Sequence, residues 1–297
     1  MHLSLTAILP DLSLLPLPFF YVLVGIFGAL IGSFLNVVIH RLPREESIVL
    51  PSSRCPTCGG AIAFYDNVPV LSWVMLGGRC RSCKGHISAR YPAVEALTAA
   101  LWLLVAWRDG PTLALPFDLI FVTAITALIF IDAEHMILPN AITYPGIVFS
   151  LVARLALPYL LGRPYFDDLP MLMNGMLAGM PLWAASLVGA FIGALVGGGS
   201  LWLMGWTWEK LRGIEAMGLG DVKMMFMVGA YLGWRLTILN IFLGVLTGSL
   251  IGIVLMLRQG KRNMQLLLPF GVFLGIGAIT ALLVGRNIVE WYAGQFR

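Results

Sequence analysis

Residues 12–40 read LSLLPLPFFYVLVGIFGALIGSFLNVVIH, a stretch without a single Asp, Glu, Lys or Arg. A helix needs about 20 apolar residues to cross the ~30 Å hydrocarbon core of a bilayer, and this run is longer than that. Similar charge-free runs occupy 169–208, 236–257 and 264–285, which excludes a protein held by one anchor. The alternating segments of roughly ten residues that would build an outer-membrane barrel are missing. Composition agrees: of 297 residues, 59% are hydrophobic and 11% charged, where soluble domains carry about a quarter charged residues. Mean hydropathy is +0.89. The chain reads as an all-α polytopic membrane protein whose first partner is the lipid bilayer.

Working outward from that run, apolar stretches bounded by charges or turn residues predict about eight transmembrane helices, near 19–39, 92–107, 113–131, 136–157, 182–206, 219–233, 236–257 and 266–285. Between the first two lies the largest polar region, 41–91, rich in Gly, Pro, Ser and Arg and holding all four cysteines. The expected organisation is therefore an outside tail and first helix over 1–40, a small inserted domain over 41–91, and a seven-helix membrane domain over 92–297. Met1 to Phe20 has no basic n-region and carries Asp11 and three prolines, so it reads as a short outside tail and not as a cleavable signal peptide.

The net charge of +4 and pI of about 9.0 would suggest nucleic acid in a soluble protein. Here the basic residues sit at the ends of apolar segments, where membrane topology explains them, and no nucleic-acid partner is expected. Loops on one side hold Arg41, Arg44, Arg54, Arg79, Arg81, Lys84, Arg90, Lys210, Arg212, Arg258, Lys261 and Arg262; the other side holds Arg108, Arg154, Arg163, Arg235, Arg286 and Arg297. Twelve against six puts the 41–91 domain in the cytoplasm and both termini outside. The basic loops at 210–212 and 258–262 belong on one side, so the short segment 219–233 must cross as well, packed against protein instead of lipid.

Cys55-Pro-Thr-Cys58 and Cys80-Arg-Ser-Cys83 form two C-x-x-C knuckles with 21 residues between Cys58 and Cys80, slightly longer than the usual zinc-ribbon spacing. Four thiolates close a tetrahedral site with no open position, which suits a structural zinc in a domain too small to fold on its core alone. Gly59-Gly60 and Lys84-Gly85 follow each pair, as tight metal-binding turns require. Two disulfides or a redox pair are the competing readings, and a reducing cytoplasm weighs against both.

Asp132 ends the apolar run LIFID and precedes Ala-Glu-His-Met-Ile-Leu138-Pro139-Asn140, and Asp221 opens the sixth span in Gly218-Leu219-Gly220-Asp221-Val222-Lys223. Acids at a membrane edge are functional candidates because apolar surroundings disfavour the charged form. Traced through the topology, both reach similar depth near the cytoplasmic face. Two carboxyls brought together hold one proton between them, leaving one as base for a water and the other as acid for a leaving group, the chemistry of aspartic proteases. Gly218 and Gly220 would let backbone approach closely, and Glu134, His135, Glu215 and Lys223 could tune the pair or equally serve as solvated loop charges. The alternative is that each Asp is a helix cap or an interfacial residue. Asn36, inside the first span, is expected to make an interhelical hydrogen bond.

At this point the sequence resembles the type IV prepilin leader peptidases, the bifunctional peptidase and N-methyltransferases of type IV pilus and type II secretion systems. The resemblance is carried by Gly32-Ser-Phe-Leu-Asn-Val-Val-Ile-His-Arg-Leu-Pro43, by the C-x-x-C pairs flanking Asp66-Asn-Val-Pro-Val-Leu-Ser-Trp73, and by Arg90-Tyr-Pro-Ala-Val-Glu95. It continues through Asp132, the Gly-x-Gly-Asp ending at Asp221, and Leu268-Pro-Phe-Gly271. It implies a catalytic pair of Asp132 and Asp221, removal of prepilin or pseudopilin leaders after a Gly on the cytoplasmic side of the bacterial inner membrane, and methylation of the new N-terminal residue with S-adenosylmethionine. Many members carry Leu-Pro-Asp where this chain has Leu138-Pro139-Asn140, a difference expected to touch local packing more than activity. The methyl-donor site has no fingerprint in the sequence, since Gly197-Gly-Gly199 lies in an apolar helix and does not follow a strand.

Competing functions are a Gly-x-Gly-Asp protease with another substrate and no methylation, a proton- or cation-coupled transporter, and a membrane scaffold docking a partner through the zinc knuckle. Transporter sites favour the bilayer midplane, whereas these acids are expected at the inner edge. A scaffold leaves Gly-x-Gly-Asp unexplained.

Overall fold

A computed structural model describes residues 16–50, 52–55, 57–175, 177–213, 218–259 and 268–295. Residues 1–15 of the expected tail, together with Glu215, Lys261, Arg262 and Arg297, lie outside the described residues. The described chain is helical with no strand, apart from two isolated bridges in the cysteine region, and contains a helix at each of the eight expected positions. It divides into two compact units, 1–127 and 128–297.

In the first unit, α1 (Leu17–Arg41) is followed by the cysteine region with its short α2 (Leu71–Met75), then α3 (Arg90–Asp109) and the start of α4 (Leu115–His135). Lipid gives apolar helices no hydrophobic reason to associate, so close contact depends on small residues that let backbones meet. Gly28 and Gly32, one turn apart on α1, do this: a Cβ on Gly28 would stand 2.9 Å from Cα of Ala99, and one on Gly32 only 2.7 Å from Cα of Glu95. Asn36, buried one turn further on, donates from Nδ2 to the Tyr91 carbonyl at 3.0 Å, the interhelical bond expected of it.

The second unit contains the end of α4, α5 (Asn140–Leu161), the short α6 (Leu169–Met173), α7 (Leu182–Ala194), α8 (Ser200–Arg212), α9 (Leu219–Leu232), α10 (Trp234–Gln259) and α11 (Phe270–Gly294). A π-helical turn, Leu195–Gly199, joins α7 to α8, so Gly197-Gly-Gly199 is part of one continuous rod. At its 14 residues, α9 is about 21 Å long, shorter than a bilayer's hydrocarbon core. Its residues from Val222 to Leu232 are nearly all buried, so it runs through protein as expected. Gly193 of α7 and Gly229 of α9 meet so closely that a Cβ on either would strike the other's carbonyl oxygen.

Six of these helices are long and apolar enough to cross a membrane: Leu17–Arg44, Leu115–His135, Asn140–Leu161, Leu182–Arg212, Trp234–Arg258 and Phe270–Gly294. Boundaries shift from the expected ones where local chemistry overrides hydropathy. α4 continues past Asp132 to His135, and α5 starts only at Asn140 because Pro139, in an extended conformation, occupies the position before it. α11 likewise starts after Pro269 and runs beyond Gly285, through an Arg286–Glu290 pair at 3.0 Å.

Arg154 is not in a loop, as the charge count assumed. It is fully buried on α5, where Nη1 donates to Asp168 Oδ1 at 2.7 Å and Nε donates to the Ala230 carbonyl at 2.9 Å, with the guanidinium 3.9 Å from the Phe166 ring. The neighbouring Asp167 meets Arg235 at 3.0 Å and Arg286 at 3.7 Å. One acidic doublet thus ties α5, the end of α9, α10 and α11 together.

Candidate functional site

Asp132 lies one turn before the end of α4 and is 5% exposed. Its Oδ2 accepts the backbone N–H of Val272 at 3.1 Å, so the start of α11 caps the carboxylate. The chain leaves α4 through Met136, whose φ of 53° lies in the left-handed region, and this reversal carries Leu138 back toward the acid. Leu138 fills the space between two glycines. A Cβ on Gly220 would stand 3.0 Å from its Cβ, and one on Gly271 would stand 3.1 Å from its Cδ1 and 2.8 Å from Asp132 Oδ2. Gly220 immediately precedes Asp221, so Leu138 links the two acids' neighbourhoods.

Asp221 occupies the first turn of α9, is half-buried, and feels the charge of Asp132. Both acids lie in the second unit, with Leu138 packed between the glycines beside each of them. Among the described residues, no atom lies nearer than 3.9 Å to a Cβ placed on Gly218. Lys223 turns to α5 instead of the acids: Nζ donates to Asn140 Oδ1 at 2.9 Å and sits 5.2 Å from the Tyr144 ring centre. Asn140, the departure noted in the sequence, is therefore the lysine's neutral acceptor. Sequence reasoning gave no role to Leu138, Gly271 or Val272; the only signal for them was the quoted Leu-Pro-Asn and Leu-Pro-Phe-Gly, and neither string says that its backbone meets an acid.

The four cysteine sulfurs of Cys55, Cys58, Cys80 and Cys83 all lie within 4.8 Å of one another, and none forms a disulfide. The two knuckles repeat one hydrogen-bond pattern. Cys55 donates its N–H to Gly60 O and Gly59 to Cys55 O, while Cys80 donates to Gly85 O and Lys84 to Cys80 O, at 2.9–3.0 Å. Gly59 and Lys84 hold the same positive φ, 70° and 60°. The backbone amides of Cys58 and Thr57 hold the Cys55 thiol down at about 6. At Cys83 the Gly85 amide also pulls downward, but burial and the three neighbouring sulfurs outweigh it and raise that thiol to about 11. Four sulfurs this close share their protons as a set, and they form a donor group that can bind a metal ion.

Fold and site define a polytopic helical membrane protein with a carboxyl pair between helix ends and a four-cysteine domain between its first two long helices. The family model for the bacterial peptidase A24 N-terminal domain matches residues 26–109, and that for the type IV leader peptidase family matches 119–253. The chain belongs to the type IV leader peptidase family. It is 36% identical to a prepilin leader peptidase/N-methyltransferase of Aeromonas hydrophila, over 94% of this chain and 96% of that one. It is 35% identical to the proteins of the same name from Pseudomonas aeruginosa, over 90% and 91%, and from Dichelobacter nodosus, over 93% and 95%. No solved structure matches the chain.

Proposed function

We propose that this protein is a prepilin leader peptidase and N-methyltransferase of the bacterial inner membrane, with Asp132 and Asp221 as its catalytic pair. The observation that supports the peptidase reading is the shared neighbourhood of these two carboxyls, joined through Leu138, one buried and capped by Val272, the other half-buried and within its electrostatic reach. Sharing one proton, the pair has an ionised member that takes a proton from water as its oxygen attacks the scissile carbonyl. The protonated member gives its proton to the departing nitrogen as the C–N bond breaks. Gly220 and Gly271 keep the surrounding backbone close to the acids, and Lys223 fixes the start of α9 against α5 through Asn140.

The substrate is the leader of a type IV prepilin or type II secretion pseudopilin, cut after a Gly. The basic bias, twelve against five once the buried Arg154 is left out, supports a cytoplasmic side for the cut, the cysteine domain and the loop before α9, with α3 and α9 completing eight crossings. Zinc is the metal that four clustered thiols suit best, in a structural role. S-adenosylmethionine would supply the methyl group, which leaves the donor sulfur for the new N-terminal nitrogen as that nitrogen gives up a proton.

Intact mass of a purified prepilin, after incubation with the protein in detergent, tests the reading. Leader loss without donor, and leader loss plus one methyl mass with S-adenosylmethionine, are expected. An unchanged prepilin would refute the peptidase reading, and leader loss that never gains a methyl would refute the second activity.

A further inference from the structure

The first unit contains a cavity of about 210 Å3 between the end of α1, the cysteine region and the start of α3. This is below the ~300–1,000 Å3 of drug-sized pockets and suits a group the size of an amino acid. Two buried polar side chains line it. Asn36, 4% exposed, spends its amide nitrogen on the carbonyls of Tyr91 and Gly32 at 3.0 and 3.4 Å, which fixes its orientation and leaves Oδ1 with no hydrogen-bond partner. Glu95, 8% exposed on α3, receives the Ser33 hydroxyl and, at Oε2, the Val70 N–H at 2.7 Å. No Lys or Arg pairs with it among the described residues.

A buried carboxylate without a cation is costly, and Glu95 lines this empty volume; the Asn36 amide oxygen, unpartnered but closed off from the cavity, packs behind its wall. The loop that meets Glu95 is also strained. Val70 has φ 61° and ψ −50°, with the Leu71 N–H bonded to the Pro69 carbonyl, a γ-turn that a β-branched residue rarely adopts. Such strain persists where surrounding structure enforces it, often at ligand sites. Arg41 and Arg54 line the same cavity. Its chemistry thus combines an acceptor for a positive group with guanidinium groups suited to a carboxylate, which fits an amino acid bearing an extra positive charge.

We propose that this cavity binds the amino-acid portion of a sulfonium methyl donor, with Glu95 meeting its positive charge and Arg41 and Arg54 its carboxylate. The assignment rests on the methyl-transfer reading above and adds to it a place and named residues. A processed pilin's free N-terminus fits less well, because it brings an ammonium but no adjacent carboxylate.

Equilibrium dialysis of the full-length protein in detergent tests the cavity, using S-adenosylmethionine and its uncharged-sulfur product S-adenosylhomocysteine. Glu95→Gln and Arg54→Gln should each weaken S-adenosylmethionine binding at least tenfold, and Glu95→Gln should also erase the wild-type preference for the sulfonium form. A merely structural role would not move that preference. Thermal melting reports whether the variants fold; if they do not, ultraviolet photolabelling of the wild type with radiolabelled S-adenosylmethionine decides alone, with label expected in peptides spanning 33–41 and 66–95. Unchanged affinity and preference in the folded variants, or label confined to 128–297, would overturn the cavity while leaving methylation standing. A wild type that neither binds the donor nor methylates would instead remove the methyl-transfer reading, and the cavity assignment with it.

Discussion

Val272 donates its backbone N–H to Oδ2 of Asp132 across 3.1 Å, joining positions 140 residues apart in sequence. The Val272 amide sits in the first turn of α11, just after Pro269, where it meets the Pro269 carbonyl at 3.3 Å, a long contact that leaves it free to share its hydrogen with the acid. A carboxylate is well matched to such a helix start. Gly271 makes the approach possible, since any side chain there would stand against the acid.

Replacing Gly271 with Ala should therefore push Asp132 out of register with Asp221. A displacement of ~1 Å at a reacting group can cost about 100-fold in rate. Leader cleavage by Gly271→Ala is expected to fall by about that factor in kcat, with the helical circular dichroism unchanged. Wild-type kcat in this variant would show that the close contact has no catalytic consequence.

Arg154 presents the opposite case, a charge buried for structure. Truncating one partner of a buried pair leaves the other uncompensated, typically at about 3–5 kcal/mol. Arg154→Met should accordingly lower the thermal midpoint strongly, while Arg154→Met with Asp168→Leu recovers much of the loss. Equal destabilisation by the single and double variants would mean that packing, and not the unpaired acid, sets the cost.

The cysteine domain should depend on its metal. Replacing any one of Cys55, Cys58, Cys80 or Cys83 with Ser is expected to reduce bound zinc from about one per chain toward zero, and a strong chelator should lower the wild-type thermal midpoint. Elemental analysis of the purified protein checks both. Full zinc occupancy in a single-cysteine variant would exclude the four-sulfur site.

The long helices were legible because hydrophobic runs of bilayer length have few other uses, and even the burial of α9 followed from counting basic loops. Asp132 and Asp221 stood out as acids where acids are costly. What the sequence did not display was contact between segments far apart in the chain. Nothing in Leu138, Gly220 and Gly271 taken singly says that the leucine fills the gap between the two glycines. Arg154 looked like one more topological charge, because its partner, Asp168, lies beyond the end of its helix. Asn36 was readable as a polar residue needing a partner, but the cavity beside it depends on where Glu95 and Val70 come to rest.

If Asp132 and Asp221 act as one unit, the leader-cleavage rates of Asp132→Asn, Asp221→Asn and the double variant will show it. Two groups that share a single proton-transfer role should be non-additive. Each single variant is predicted to lose leader cleavage by at least about a thousandfold, with the double variant no worse than either. Substantial cleavage by either single variant, with the pilin cut at the same bond, would contradict the paired mechanism.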